Sequence, residues 1–467
     1  MESLNKYDIR KFLSFEEEYK LNEIRYKGEK IWPIIRYAVY DGILEHQEKA
    51  QRAVSSQEIS KRPSIFKKLI KLIISLRSLK SLFGQTDILL YNYGRVLDFD
   101  GMKDNLLVWT FSEALKENYS ITVVDQYGIY PPQKCEVINI SEMLSMLGFI
   151  ASFFTRFTQW PQFEKEVNEK IKGFYDFEID LRKIYVSNFL YQKLIGKLTD
   201  KIIEIKKPKA LIYSDTGSFS EIIRNAKSKK VLTIDYQHAL QSGQNLLYTH
   251  NPVIVNEYTE FLSDYVFTFG KYWDEYFEEN YKVISVGSRY QELMVTKTKN
   301  IQKEENSIVF ISDGEMARKE FERLAMSIAI DMPEIQIYYR LRPDEFLNWK
   351  SLYSKEIRNI KNISFIDNNI SSLHNTLKKS NYVIGINSTA LIEAMPLSNV
   401  IIHKKGWYIE MEQFIKKDVV LTSRNSEDII NIIKENKIAK NSLEGIEIFK
   451  SNADKNISNS IRDLLYS

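Results

Sequence analysis

From residue 84 onward, short apolar runs of strand length alternate with stretches of helical spacing, and this alternation limits the fold more than any other feature of the chain. The first series comprises 87–91 (DILLY), 120–124 (SITVV), 210–213 (ALIY), 231–234 (VLTI), 265–269 (YVFTF) and 283–286 (VISV). Runs this apolar and β-branched read as strands covered on both faces, the condition of a parallel sheet. Helical patterns such as 112–118 and 220–226 stand between them, which is the signature of βαβ units. A second series follows: 307–311 (SIVFI), 335–339 (IQIYY), 363–366 (ISFI), 382–386 (YVIGI), 400–403 (VIIH) and 419–421 (VVL). The polar stretch 296–306 (TKTKNIQKEEN) separates the two series as a linker. The expectation is therefore an α/β protein of two doubly wound parallel-sheet domains, 84–295 and 307–467, preceded by a helical extension over 1–83. A cleft is expected at the carboxyl ends of the sheets, where such folds bind ligands.

Composition supports this reading and removes others. With 467 residues and 44% hydrophobic content, the chain can fill two or three cores. A net charge of +3 on 65 basic and 62 acidic residues gives no polyanion-binding signature, so nucleic acid is not an expected partner. Cys135 is the sole cysteine, which rules out an intrachain disulfide framework and disfavours a thiolate metal site. No uncharged run reaches spanning length and MESLNKYDIRKF lacks a secretory apolar core, so a cytoplasmic protein is expected. Two stretches suggest a peripheral contact with the inner face of the plasma membrane. Residues 61–80 place Phe66, Leu69, Ile70, Ile73 and Leu76 at helical spacing among lysines and arginines, a pattern suited to anionic lipid or to a solvated basic face. Residues 143–154 are apolar enough to dip into an interface or to form a buried helix.

The stretch 381–395, NYVIGINSTALIEAM, passes from a strand pattern into good helix formers, with Asn387, Ser388 and Thr389 at the seam. Small hydroxyl residues at a strand-to-helix turn can cap the helix or hold a phosphate, and taken alone the triplet supports either role.

Two such Rossmann-like domains, with a polar-small turn after a late strand of the second, resemble the GT-B glycosyltransferases. More narrowly they resemble the inverting bacterial surface-polysaccharide group that includes sialyltransferases, Kdo-transferases and teichoic-acid polymerases. Three motifs carry the resemblance, in the expected order. ISDGE at 311–315 is similar to the acidic-acidic-glycine motif, with Asp313, Gly314 and Glu315 matching and Ser312 in one acidic place. YRLRPDE at 339–345 is placed like the His-Pro motif, with Arg342 before Pro343 where that group has histidine. Arginine keeps the phosphate-binding task, bidentately, and loses the titratable proton. Asn387, Ser388 and Thr389 are placed like the Ser-Ser/Thr motif that binds the same phosphate, and Glu393 resembles the acid that holds the donor ribose. Of Arg340 and Arg342, only Arg342 is expected to reach the ligand.

The resemblance implies a nucleotide-sugar donor as co-substrate, no metal and no other cofactor, and a glycan or glycolipid acceptor bound by the N-terminal domain. Inverting transfer needs one general base for the acceptor hydroxyl. Three candidates follow strands of that domain: Asp100 in the acidic loop 93–104, Asp215 in SDTGS and His238 in DYQH, with Asp313 as a fourth in the C-terminal domain. Each of them also suits a capping or hydrogen-bonding role. Asp98 and Asp100 spell a DxD, which is read as coincidence in a GT-B chain. Gly287, in the turn GSR, would permit an unusual backbone angle. The expected function is an inverting, metal-independent glycosyltransferase of capsule or lipopolysaccharide synthesis, with a CMP-activated acidic sugar such as sialic acid or Kdo as favoured donor. The alternatives are a nucleotide-sugar epimerase or hydrolase on the same scaffold, or a non-catalytic glycan-binding subunit of an assembly complex.

Overall fold

The structure is a computed structural model of the chain, and it describes residues 9–26, 28–51, 79–92, 96–99, 102–127, 135–146, 162–238, 240–241, 243, 245–277, 279–368, 370–405, 411–440 and 446–466. Residues 61–78, 147–154 and Asp100 lie outside the described residues. Among the described residues no helix is long and apolar enough to cross a membrane.

The chain divides into two compact units. One comprises 1–238, 243–287 and 450–467; the other comprises 239–242 and 288–449. The division thus falls after Gly287, before the polar stretch 296–306. That stretch begins within a helix, Arg289–Thr298, and ends inside a strand.

The first unit opens with helices Arg10–Glu18 and Trp32–Gln51 and a hairpin of β1 (Arg25–Tyr26) with β2 (Glu29–Lys30). Its sheet contains β3 (Ile88–Tyr91), β6 (Ile121–Asp125), β7 (Glu136–Asn139), β8 (Ala210–Tyr213), β9 (Leu232–Tyr236), β10 (Tyr265–Thr268) and β11 (Lys282–Ser285). A second hairpin, β4 (Val96–Phe99) with β5 (Met102–Asn105), stands apart from it. The order β11-β10-β9-β8-β3-β6-β7 is parallel throughout. Alternation along β3 shows why the strand reads as continuously apolar. Ile88 and Leu90 pack with Phe111, Val123 and Ile457 on one face, while Leu89 and Tyr91 pack with Val124, Ile202 and Ile222 on the other. Both faces are covered, so every position of β3 is worth burying, at about 1.5–3 kcal/mol per large apolar side chain.

Ile457 belongs to the terminal helix Ala453–Tyr466, which returns to this unit and closes the core beside helix Leu106–Leu115. The return is pinned by the Lys450 N–H on the Phe269 carbonyl (2.7 Å) and by Asn456 Nδ2 on the Val286 carbonyl (3.1 Å). Gly287 adopts φ +99°, and a Cβ there would lie 2.3 Å from the Lys450 carbonyl oxygen. Only glycine fits both requirements.

The second unit holds β12 (Glu304–Ile311), β13 (Gln336–Arg340), β14 (Ile363–Ile366), β15 (Ser380–Gly385), β16 (Asn399–His403) and β17 (Leu421–Ser423). Their order is β14-β13-β12-β15-β16-β17, again parallel. Helix Glu315–Asp331 lays Phe321, Leu324 and Ile328 over Ile308, Phe310 and Ile337. The protein is thus α/β with two Rossmann-like parallel-sheet units, as its sequence pattern demands.

Candidate functional site

In the second unit the carboxyl ends of β13, β12 and β15 lie side by side, with Ile311 opposite Arg340 and Phe310 opposite Ile384. The segments that follow them carry most of the residues expected to bind a nucleotide. Asp313, just past β12, reaches to the neighbouring turn, where its Oδ2 accepts the backbone N–H of Ile386 (3.0 Å) and of Asn387 (3.1 Å). Burial pushes its carboxyl upward, while the two N–H groups and the nearby Arg342 charge act in the opposite direction. The Asp313 bridge fixes the 386–387 turn relative to the start of helix Glu315–Asp331.

Gly314 caps that helix at φ +73°, ψ −156°, a backbone region closed to residues with a Cβ. A Cβ on Gly314 would lie 3.6–3.8 Å from Cδ, Nε and Nη1 of Arg342, so the arginine side chain packs directly over the glycine. Arg342 keeps 49% side-chain exposure, and its Nε lies 3.3 Å from Asp344 Oδ1 in a solvated pair of small energetic weight. Its backbone is held more firmly. The Arg342 N–H donates to Glu345 Oε2 (2.9 Å), and the buried Glu345 carboxylate also accepts the Tyr353 hydroxyl at 2.9 Å and stands 3.5 Å from Arg318 Nη2. Pro343 is exposed in the same turn.

After β15, Ser388 is the N-cap of the short helix Thr389–Ala394, its Oγ accepting the Ala390 N–H at 3.3 Å. Asn387, Ser388 and Thr389 are all half-buried at the turn. Glu393, one turn on, is buried, with Oε2 3.2 Å from His374 Nε2, and its carbonyl accepts Gln291 Nε2 at 3.1 Å. Glu315 begins the long helix, and its side chain lies outside the described residues.

Arg340 and Arg342 diverge because β13 ends at Arg340. The Arg340 guanidinium is buried and donates to the carbonyls of Asp367 (3.0 Å) and Ser371 (2.5 Å) and to Asn368 Oδ1, and burial lowers its pKa to about 10. It clasps the loop after β14. Sequence reasoning also passed over Glu345 and Arg318, which position the Arg342 turn. The acid three residues after Arg342 was the available signal, since a short Asp or Glu offset in a turn commonly returns to a backbone N–H.

In the first unit, Asp215 follows β8 with φ +80°, ψ +76°, and its N–H donates to Asp235 Oδ1 at 3.1 Å. Asp235 is fully buried near the end of the adjacent β9. His238, two residues beyond that strand, is half-buried; the preceding Gln237 ties β9 to β10 by accepting the Phe269 N–H at 2.9 Å. Asp98 lies on the hairpin strand β4 and its side chain, like all of Asp100, lies outside the described residues. Among the described residues no group of three His, Cys, Asp or Glu side chains is gathered to hold a metal ion.

Comparison with protein-family models and with curated proteins finds no match. Solved structures similar to this chain include the UDP-GlcNAc 2-epimerase of Methanocaldococcus jannaschii in complex with UDP-GlcNAc and UDP, at 15% identity over 82% of this chain and 100% of that chain, TM-score 0.47. The S. aureus MnaA–UDP co-structure is similar at 12% identity over 81% and 97%, TM-score 0.48. Phytolacca americana UGT2 complexed with UDP-2fluoro-glucose and pterostilbene is similar at 9% identity over 82% and 94%, TM-score 0.41.

Proposed function

We propose that the chain is an inverting, metal-independent glycosyltransferase of GT-B type that uses a nucleotide-sugar donor. The observation that carries this reading is the Arg342 side chain packed over Gly314 at the amino end of the 17-residue helix Glu315–Asp331. A guanidinium above the positive end of a long helix favours a phosphate, and the Ser388 and Thr389 hydroxyls follow the turn that Asp313 ties to the start of that helix and add donors. Glycosyl transfer needs the leaving phosphate neutralised as the anomeric C–O bond breaks, and fixed charges of this kind supply that without a metal ion. The acceptor hydroxyl oxygen attacks the anomeric carbon, its proton passes to a carboxylate, and the bonding pair departs with the nucleotide phosphate.

Asp215 is assigned as that carboxylate. Its backbone is left-handed and its N–H is held by Asp235, and strain of this kind gathers where a side chain must be aimed. Asp313 is assigned a positioning role, since its carboxylate is engaged by two backbone N–H groups. A CMP-activated acidic sugar remains the favoured donor through the motif order, with a cell-surface glycan or glycolipid as acceptor.

A nucleotide panel in thermal-shift and label-transfer assays tests the reading. At least one nucleotide raises the melting temperature, the shift is lost in Arg342→Ala, and the matching nucleotide sugar labels a glycan acceptor. No shift with any nucleotide and no turnover with any donor overturns it. Consumption of donor without acceptor identifies an epimerase or hydrolase, and glycan binding that ignores both nucleotide and Arg342→Ala identifies a non-catalytic subunit.

A further inference from the structure

Two exposed aromatic side chains of the first unit, Tyr37 and Tyr127, are left unused by the proposed chemistry. Tyr37 belongs to helix Trp32–Gln51, outside the parallel sheet, and is 38% exposed; Tyr127 follows β6 and is 52% exposed. Strand order and register bring the second of these to Asp215. β6 pairs with β3 and β3 with β8, so the segments that leave β6 and β8 emerge on the same sheet end, one strand apart. Helix packing brings the first. Ser220 Oγ donates to the Pro33 carbonyl at 3.3 Å, joining the first turns of helices Ser220–Ser228 and Trp32–Gln51, and Tyr37 lines one cavity together with Gly217, two residues past Asp215.

Both phenols are also held from behind. The residue before Tyr37 is Arg36, whose buried guanidinium donates to Glu16 at 2.7 and 2.9 Å and to the Leu246 carbonyl at 2.7 Å, so that turn of helix cannot rotate. The Tyr127 N–H donates to Asp125 Oδ1 at 3.0 Å, and the same oxygen accepts Asn92 Nδ2 at 2.6 Å. Burial, the Asp41 charge and then the Asp215 charge push the Tyr37 phenol up to about 12, and burial followed by the Asp215 charge raises that of Tyr127.

We propose that Tyr37 and Tyr127 flank the Asp215 carboxylate as a subsite for one pyranose ring of the acceptor, with the phenol rings against the apolar face of the sugar and the carboxylate on a hydroxyl. A pyranose offers that combination of C–H face and hydroxyl rim, and aromatic walls with one convergent charge are the usual makeup of a polar-ligand site. The subsite rests on the glycan-acceptor reading above. It adds to that reading that the N-terminal helical extension takes part in choosing the acceptor.

The test separates the two claims. Saturation-transfer NMR on the full chain with the methyl glycosides of glucose, galactose, mannose and N-acetylglucosamine is expected to show contact with at least one of them. That contact falls about tenfold in Tyr37→Ala and in Asp215→Asn, the loss of one such interaction, and survives Arg342→Ala. Tyr37→Phe keeps the ring and melts with the wild type, so it retains most of the signal and excludes misfolding as the cause. A titration of tyrosine labelled at Cζ reports the juxtaposition itself: the Tyr37 midpoint drops below its value of about 12 in Asp215→Asn. No glycoside contact in the wild type, contact unchanged by both Tyr37→Ala and Asp215→Asn, or a Tyr37 midpoint indifferent to Asp215 each overturns the subsite. Loss of the nucleotide claim instead shows as a wild type that binds a glycoside and shifts with no nucleotide.

Discussion

Oδ2 of Asp313 accepts the Asn387 N–H at 3.1 Å, so one carboxylate at the end of β12 sets the turn at the end of β15. The Asn387 N–H precedes the hydroxyls of Ser388 and Thr389 by one and two residues. Asp313→Asn keeps one acceptor and loses the charge. Nucleotide affinity is expected to fall about tenfold and unfolding free energy by about 1–3 kcal/mol, measured by calorimetric titration and by urea denaturation. An unchanged affinity would detach the 386–389 turn from nucleotide binding.

Arg342 is different, because its guanidinium is half in solvent and holds little of the fold. Arg342→Ala should weaken nucleotide binding by about 10–100-fold, the worth of a charge-assisted hydrogen bond, with the melting temperature of the free protein unchanged. Arg342→Lys should fall between, since the charge survives and the planar fork does not.

Gly314→Ala forces a Cβ into the φ +73°, ψ −156° backbone beneath Arg342. About 1–3 kcal/mol of stability is expected to be lost, read by chemical denaturation. Nucleotide affinity should drop with it, because relief of the strained backbone shifts the turn on which the arginine rests. Stability lost with affinity retained would separate the glycine from the ligand.

Glu16→Ala leaves the Arg36 guanidinium buried without its counter-charge and strips Trp32 Nε1 of its acceptor, which lies at 2.7 Å. Removing one partner of a buried pair costs about 3–5 kcal/mol. The first unit should therefore unfold at markedly lower denaturant, while hydrogen exchange in 288–449 stays slow.

Burial pushes the Asp104 carboxyl up to about 6. The folded chain then holds this proton more tightly than the unfolded chain, whose group titrates near 3.8. Its stabilising effect is complete at lower pH and is lost as pH rises through about 6. Wild type should lose stability relative to Asp104→Asn between those two values, a gap that denaturation curves across the range will show. Parallel pH profiles for the two proteins would refute the assignment.

The sheet positions were legible because burial on both faces leaves its mark directly on composition. The apolar runs anticipated β3, β8 and β14 almost to the residue, and every other expected run overlaps a strand. β7 escaped notice since Glu136–Asn139 is a sheet-edge strand with a polar residue at each end. Within the candidate site, the turn Asn387-Ser388-Thr389 and Arg342 announced themselves by residue type and position. The roles of Glu345, Arg318 and Asp235 did not, as each is defined by a partner that folding brings in from elsewhere. Arg340 and Arg342 look alike in sequence; where β13 stops decides which is structural.

Because 450–467 returns to the body that begins the chain, the main segment of the second unit, 288–449, is inserted in sequence as a guest between 243–287 and 450–467 of its host. Cutting the polypeptide once at the end of the guest would deprive the host of Ile457 and Ile461, plugs of its own interior. An autonomous host would need residue 287 spliced to residue 450, and that junction must keep a glycine.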